Sequence, residues 1–243
     1  MNWWNDFVTQ FQFVFIESER YKLIMEGLGT TLVITLFAVL IGIILGTLVA
    51  SIRSTYDKNK EELQKRKSIG YYALAIANTI CKVYLTVIRG TPAVVQLMIA
   101  YFIIFASSTN AVQVAIFAFG INSGAYVAEI IRAGIMSVDN GQFEAGRSLG
   151  FTYVQTMIYV VIPQVVKNVL PALCNEFIVL IKETSIAGYI GITDLTKAGD
   201  LIRGRTYTAF FPLLGVAAIY LVLVMILTYL VGKLERRLRV NER

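Results

Sequence analysis

Among the ionisable side chains inside long apolar tracts are Arg89, Glu129, Arg132 and Glu176. A charge in such surroundings is costly unless it has a partner or a task. Glu129 and Arg132 are three residues apart, so one helix face brings them together as a structural ion pair. Arg89 opens the helix-breaking run Arg89-Gly90-Thr91-Pro92, where it either caps the carbonyls that proline frees or faces a pathway. Glu176 has Ala172, Leu173, Val179 and Leu180 at helical spacing, so its own helix offers no counter-charge. Two readings stay open. Glu176 receives a cationic group from a molecule passing through, or it meets a basic residue of another helix or outer water. Pro171, just before it, loosens the backbone and makes room, as broken helices do around transport sites. Lys182 and Glu183 stand where that tract ends, within reach of outer water.

Other chemistries are thin. Histidine is absent, which removes histidine metal sites and Ser-His or Cys-His catalysis together. Cys81 and Cys174 sit in apolar tracts without motif spacing and read as small buried hydrophobes. No Gly-x-x-x-x-Gly-Lys-[Ser/Thr] loop occurs, and no polar segment is long enough for a nucleotide-binding domain, so energy coupling would come from another chain. The sequence assigns no catalytic residue and no metal ligand, and its charge does not point to nucleic acid.

A polar island at 141–150 has explicit local grammar. Gly141 can serve as N-cap with Glu144 at N3, where a carboxylate answers the helix dipole. Gly150 supplies a left-handed stop after about two turns. Thr152-x-x-Gln155 then opens a new helix as a capping box. Phe143 and Leu149 form an exposed apolar pair on this otherwise polar helix.

The elements that position these groups are membrane helices. Of 243 residues, 56% are hydrophobic, and the mean hydropathy of +0.65 lies well beyond a soluble domain. Residues 1–27 mix Trp3, Trp4 and further aromatics with acids and read as an interfacial segment. The first crossing runs from about Gly29 to Ser51, with Ala38, Gly42, Gly46 and Ala50 forming one smooth packing face. Arg53, Lys58, Lys60, Lys65, Arg66 and Lys67 mark loop 52–69 as cytoplasmic. The basic tail 233–243, with Lys233, Arg236, Arg237, Arg239 and Arg243, belongs on the same side, so the +6 net charge is read through topology. An outer N-terminus and an inner C-terminus require an odd number of crossings. Stretch 70–106 is therefore one crossing, entered by an amphipathic lead-in and broken near Pro92. The remaining crossings run from about Ala111 to Ala133, Val154 to Ile181 and Phe210 to Val231. Segment 182–208 falls outside despite Lys182, Lys197, Arg203 and Arg205, and reads as partly re-entrant or amphipathic. The fold class is an all-α polytopic membrane protein, with five transmembrane helices and a short cytoplasmic helix.

Glu144-Ala145-Gly146, Gly150 and Val160-x-Ile162-Pro163 together resemble the EAA loop of ABC-importer permeases. The family pattern is Glu-Ala-Ala, Gly and Ile-x-Leu-Pro at these spacings; Gly146, Val160 and Ile162 depart from it. Arg89-Gly90-Thr91-Pro92 with Gln96, Asn122-Ser123-Gly124-Ala125-Tyr126-x-x-Glu129-x-x-Arg132, Gly141-Gln142, Pro163-Gln164 and Lys182-Glu183-Thr184-Ser185 extend the resemblance to polar amino acid permeases. It runs from about Gly27 to Arg237.

The resemblance implies one permease domain over 1–243 in a bacterial cytoplasmic membrane. Residues 141–150 become a coupling helix docking on an ATP-binding subunit, with Gly141, Glu144, Ala145, Gly146, Leu149, Gly150 and Pro163 as coupling residues. Asn122 joins Glu176 and Arg89 as pathway candidates. No cofactor is expected on this chain; ATP and Mg belong to the partner ATPase. The further partners implied are an extracytoplasmic amino-acid-binding protein, a second permease chain, the amino acid itself and membrane lipids. A secondary transporter would show matched halves, and a membrane enzyme a nucleophile with its base; neither is visible.

Overall fold

The computed structural model describes residues 3–66 and 69–240. Among them are ten α-helices: α1 (Trp3–Phe11), α2 (Tyr21–Arg66), α3 (Ile69–Gly90), α4 (Ala93–Ile99), α5 (Ala111–Met136), α6 (Asn140–Ser148), α7 (Tyr153–Thr156), α8 (Ile162–Glu183), α9 (Leu195–Thr206) and α10 (Phe210–Val240). Five stretches are long and apolar enough to cross a bilayer: Tyr21–Lys58, Ile69–Gly90, Ala111–Met136, Tyr153–Ile190 and Phe210–Leu238. The side chains of Lys60, Lys65, Arg66 and Arg239, with Lys67 and Arg243, lie outside the described residues.

Several boundaries differ from the sequence reading. α2 begins at Tyr21 and continues through the charged stretch to Arg66, because Lys, Glu and Gln are good helix formers whatever their hydropathy. The segment preceding it therefore ends near Arg20, and not at residue 27. Stretch 70–106 breaks at Thr91-Pro92 as expected, with the Thr91 hydroxyl bonding the Val87 carbonyl at 2.8 Å. The part before the break is long enough to span by itself. The apolar part after it, Ala93–Ile104, covers only about 18 Å at 1.5 Å per residue. α10 runs past Val231 to Val240.

The chain forms two compact units. The first gathers the chain up to Ala38, Ala93–Phe119 and Phe177–Leu230. Its core joins Val14 and Ile24 to Leu195, Ala198, Ile202, Phe211 and Val216. Segment 182–208 is built into this core as a 3-10 turn over Thr184–Ile190, a left-handed Gly191, and α9. α9 is capped by the fully buried Asp194, which accepts from the Thr196 and Lys197 N–H groups at 2.9 and 3.2 Å. Burial pushes the Asp194 carboxyl above its ordinary range, and those N–H bonds pull it partly back. Its basic neighbours are partly neutralised on the helix itself. Arg203 and Lys197 both donate to Asp200 and hold that carboxyl below its usual range.

The second unit comprises Val39–Pro92, Gly120–Glu176 and the chain from Val231. Here the smooth face of α2 meets α5. A Cβ on Gly42 would lie 2.9 Å from Ser123 Oγ, and one on Gly46 only 2.5 Å from Val127 Cγ1. Two apolar clusters complete the unit. Val49, Cys81, Leu85, Ala125 and Ala128 form one, and Ile135, Val138, Val161, Val165 and Val169 the other.

Candidate functional site

α6 stands between α5 and α7 as a short, largely exposed helix with both ends closed. Its N-cap is Asp139, whose Oδ1 accepts from Gly141 N–H at 2.6 Å, so Gly141 is the second helical residue and Glu144 lies beyond the first turn. A side-chain carboxylate answers orphan N–H groups that glycine cannot, which is why Asp139 takes the role expected of Gly141. At the other end Gly150 has φ 80°, Gly150 N–H donates to Arg147 O at 2.9 Å, and Phe151 N–H donates to Gly146 O at 3.0 Å. This is a complete Schellman closure. Thr152 and Gln155 then form the reciprocal capping box.

The face of α6 that meets its own chain is set by Gly146 and Phe143. A Cβ at Gly146 would fall 2.6 Å from Thr156 Oγ1, which explains why glycine replaces alanine in this loop. Phe143 stacks on Tyr153 at 6.5 Å and lies under the Lys58 ammonium at 4.5 Å. It therefore belongs to the core, and the expected exposed pair reduces to Leu149, which is 74% exposed. Glu144 and Ala145 also face outward. Lys58 donates to Asn140 at 2.7 Å, tying the C-terminal part of α2 to the start of α6. Pro163 sits in the first turn of α8, directly after a widened π turn at Met157–Val161.

Glu129 is the hub of a larger charge cluster. Its Oε1 accepts from Arg53 at 2.9 Å, its Oε2 from Arg132 at 3.1 Å, and Arg89 approaches to 3.8 Å. Arg132 also lies 3.6 Å from Asp57. Sequence spacing alone pairs Glu129 with Arg132 and marks Arg53 only as a topology signal. Arg89 stands over the Tyr126 ring at 5.8 Å and lines an open cavity of about 420 Å³ with Arg53, Lys82 and Glu129.

Glu176 accepts from Ser123 Oγ at 2.9 Å. A hydroxyl of α5 thus supplies a donor that its own helix lacks. Asn122, the neighbour of Ser123, is 4% exposed. The structure brings Glu176 and Ser123 together, and separately Arg89 and Glu129. Among the described residues no cluster of three His, Cys, Asp or Glu side chains could hold a metal ion.

Comparison with known proteins identifies a family, relatives and solved structures. A family model described as binding-protein-dependent transport system inner membrane component matches residues 69–240. The chain is 38% identical over 223 residues to the arginine transport system permease protein ArtQ of Bacillus subtilis (strain 168), covering 90% of this chain and 94% of that protein. It is 33% identical over 223 residues to the glutamine transport system permease protein GlnP of Escherichia coli (strain K12), with the same coverage. Among solved structures, that of an amino acid ABC transporter with histidines superposes with a TM-score of 0.78 at 42% identity, covering 92% of this chain and 98% of that one. The inward-facing MetNI methionine transporter shares the fold, with a TM-score of 0.69 at 22% identity, covering 90% and 96%.

Proposed function

Because the chain belongs to the family of binding-protein-dependent transport system inner membrane components, we propose that it is the transmembrane subunit of an ABC importer and forms the translocation pathway for polar amino acids. It is a multi-pass protein of the bacterial inner membrane, and its permease relatives carry arginine and glutamine by name. The observation that carries the reading furthest is α6: an exposed helix, closed at both ends, that presents Glu144, Ala145 and Leu149 away from the core. Such a helix fits a groove on a partner. The partner is a separate ATPase subunit that binds ATP and Mg. An extracytoplasmic amino-acid-binding protein delivers substrate, and a second permease chain completes the pathway.

Reconstitution in vesicles with the ATPase and binding protein tests this. Uptake of a polar amino acid should require ATP, and uptake driven by an ion gradient alone would refute the proposal. Within the pathway, Glu176 receives the α-ammonium or a cationic side chain, with Ser123 fixing its rotamer; Asn122 and Arg89 are further candidates. Glu176→Gln keeps the shape and removes the charge. Uptake should fall at least tenfold while assembly and basal ATP hydrolysis persist; parental uptake would remove Glu176 from the pathway.

The N-terminus lies outside and the C-terminus inside, which puts α6 on the ATPase side. Single cysteines at Asn59 and Asn241, in a chain without Cys81 and Cys174, should resist an impermeant thiol reagent in intact cells. One at Ser108 should react. Strong labelling at Asn59 would reverse the topology.

A further inference from the structure

Tyr153 lines two cavities of the second unit, one apolar and one charged, whose walls follow each other along α2. The larger, about 430 Å³, lies between α2, α5 and the α7–α8 segment. Its walls at one end are Ile43 and Leu173. Along α2 they change to the hydroxyls of Thr47, Ser51, Ser54 and Thr55. The smaller cavity, about 170 Å³, is lined by Lys58 of α2 and Arg147 of α6; Glu144 lines it too, so it holds two cations and one carboxylate.

The dimensions fit. From Ile43 to Lys58 a helix advances about 22 Å, and half of a bilayer with its headgroups is also about 20–22 Å. The hydroxyl level is informative as well. Ser54 is 1% exposed, and its Oγ has no hydrogen-bond partner among the described residues although the residue lines the apolar cavity. The Oγ is closed off in this rotamer and an unmade hydrogen bond there is costly, so a ligand acceptor that draws the hydroxyl round into the cavity is favoured. In a glycerophospholipid the ester carbonyls lie between the tails and the phosphate, as Ser54 lies between Ile43 and Lys58. The widened turn at Met157–Val161 contributes Met157 and Ile158 to the wall, and Val154, Ile158, Ile162 and Val166 at its margin are exposed.

We propose that this groove binds one anionic glycerophospholipid, with an acyl chain between α2, α5 and α8, an ester carbonyl at Ser54 and the phosphate at Lys58 and Arg147. Basic pockets beside membrane helices recognise such headgroups. The proposal needs only that the chain spans the membrane, and is independent of what it transports.

The test is native mass spectrometry of the full chain in detergent, titrated with phosphatidylglycerol or phosphatidylcholine. Phosphatidylglycerol should bind more tightly. Arg147→Gln should weaken it about fivefold, the usual worth of one cation near a headgroup, and weaken phosphatidylcholine less, because its choline cation already offsets its phosphate. Thr47→Phe, which plugs the apolar cavity from an exposed position, should weaken both lipids while the chain keeps its melting temperature. Unchanged phosphatidylglycerol binding in both variants would overturn the proposal. Displacement of the lipid by millimolar inorganic phosphate would make the recess a free-anion site and would also overturn it. So would disulfide formation between two chains carrying Ser51→Cys, since the groove would then hold a second copy.

Discussion

A Gly150→Val chain should reach the membrane in near-parental amount yet lose most of its substrate-stimulated ATP hydrolysis when assembled with its ATPase. Gly150 has φ 80°, and nothing lies within 4 Å of the position a Cβ would take, so the substitution creates no clash. Its cost is conformational, about 1–2 kcal/mol for an ordinary residue in the left-handed region and more for a β-branched one. That strain is comparable to the Schellman bonds it opposes, from Gly150 to Arg147 and Phe151 to Gly146. The expected outcome is a re-aimed α6 inside an otherwise intact fold, because the buried members of both core clusters come from outside α6 and only its Phe143 packs against one of them. Asparagine tolerates this conformation, so Gly150→Asn should retain most of the coupling. Equal coupling in the valine and parental chains would show that the bend does not transmit the signal.

Glu129→Gln should cost roughly 2–4 kcal/mol, the range for removing one partner of a largely desolvated charge pair. The amide would leave Arg53 and Arg132 without the carboxylate that both engage, with Arg89 close by. Asp57 remains for Arg132, but Arg53 is the more enclosed of the two, with only 15% of its side chain exposed. The measurement is the melting temperature of the purified chain in detergent, with a drop on the order of 10 °C expected for such a loss in a chain of this size. Arg53→Leu in the same chain should recover part of it, since the orphaned cation goes too. A Glu129→Gln chain melting with the parent would mean that the cluster is decorative.

What could be read from the sequence was what is local in the chain. Gly150 and the Thr152–Gln155 box are decided within four residues, and both stand as expected. The membrane helices followed from long apolar runs, and the Ala38-Gly42-Gly46-Ala50 face from four-residue spacing. The N-cap of α6 was misplaced by two residues because Asp139 and Gly141 are both capping types, and backbone geometry chose between them. Phe143 turned inward for a non-local reason: Lys58 and Tyr153 hold its ring from other elements. Arg53 escaped for the same reason, since its partner Glu129 lies 76 residues away. The hydroxyl that Glu176 needed was likewise invisible, because Ser123 reaches it from another helix.

The seam between α2 and α5 also bears on how the protein is made. Gly42 and Gly46 meet Ser123, Gly124 and Val127 at distances that admit no side chain, and α3 and α4 lie between these helices in the chain. A ribosome must therefore release α2 into the membrane well before its mate exists. For about 80 residues of synthesis, some 4–16 seconds at 5–20 residues per second, the glycine face has nothing to close on. A nascent chain stalled in that interval would display a bare small-residue groove to every other helix in the bilayer. Insertion chaperones and membrane proteases thus have a physical mark that separates an unfinished copy from a finished one.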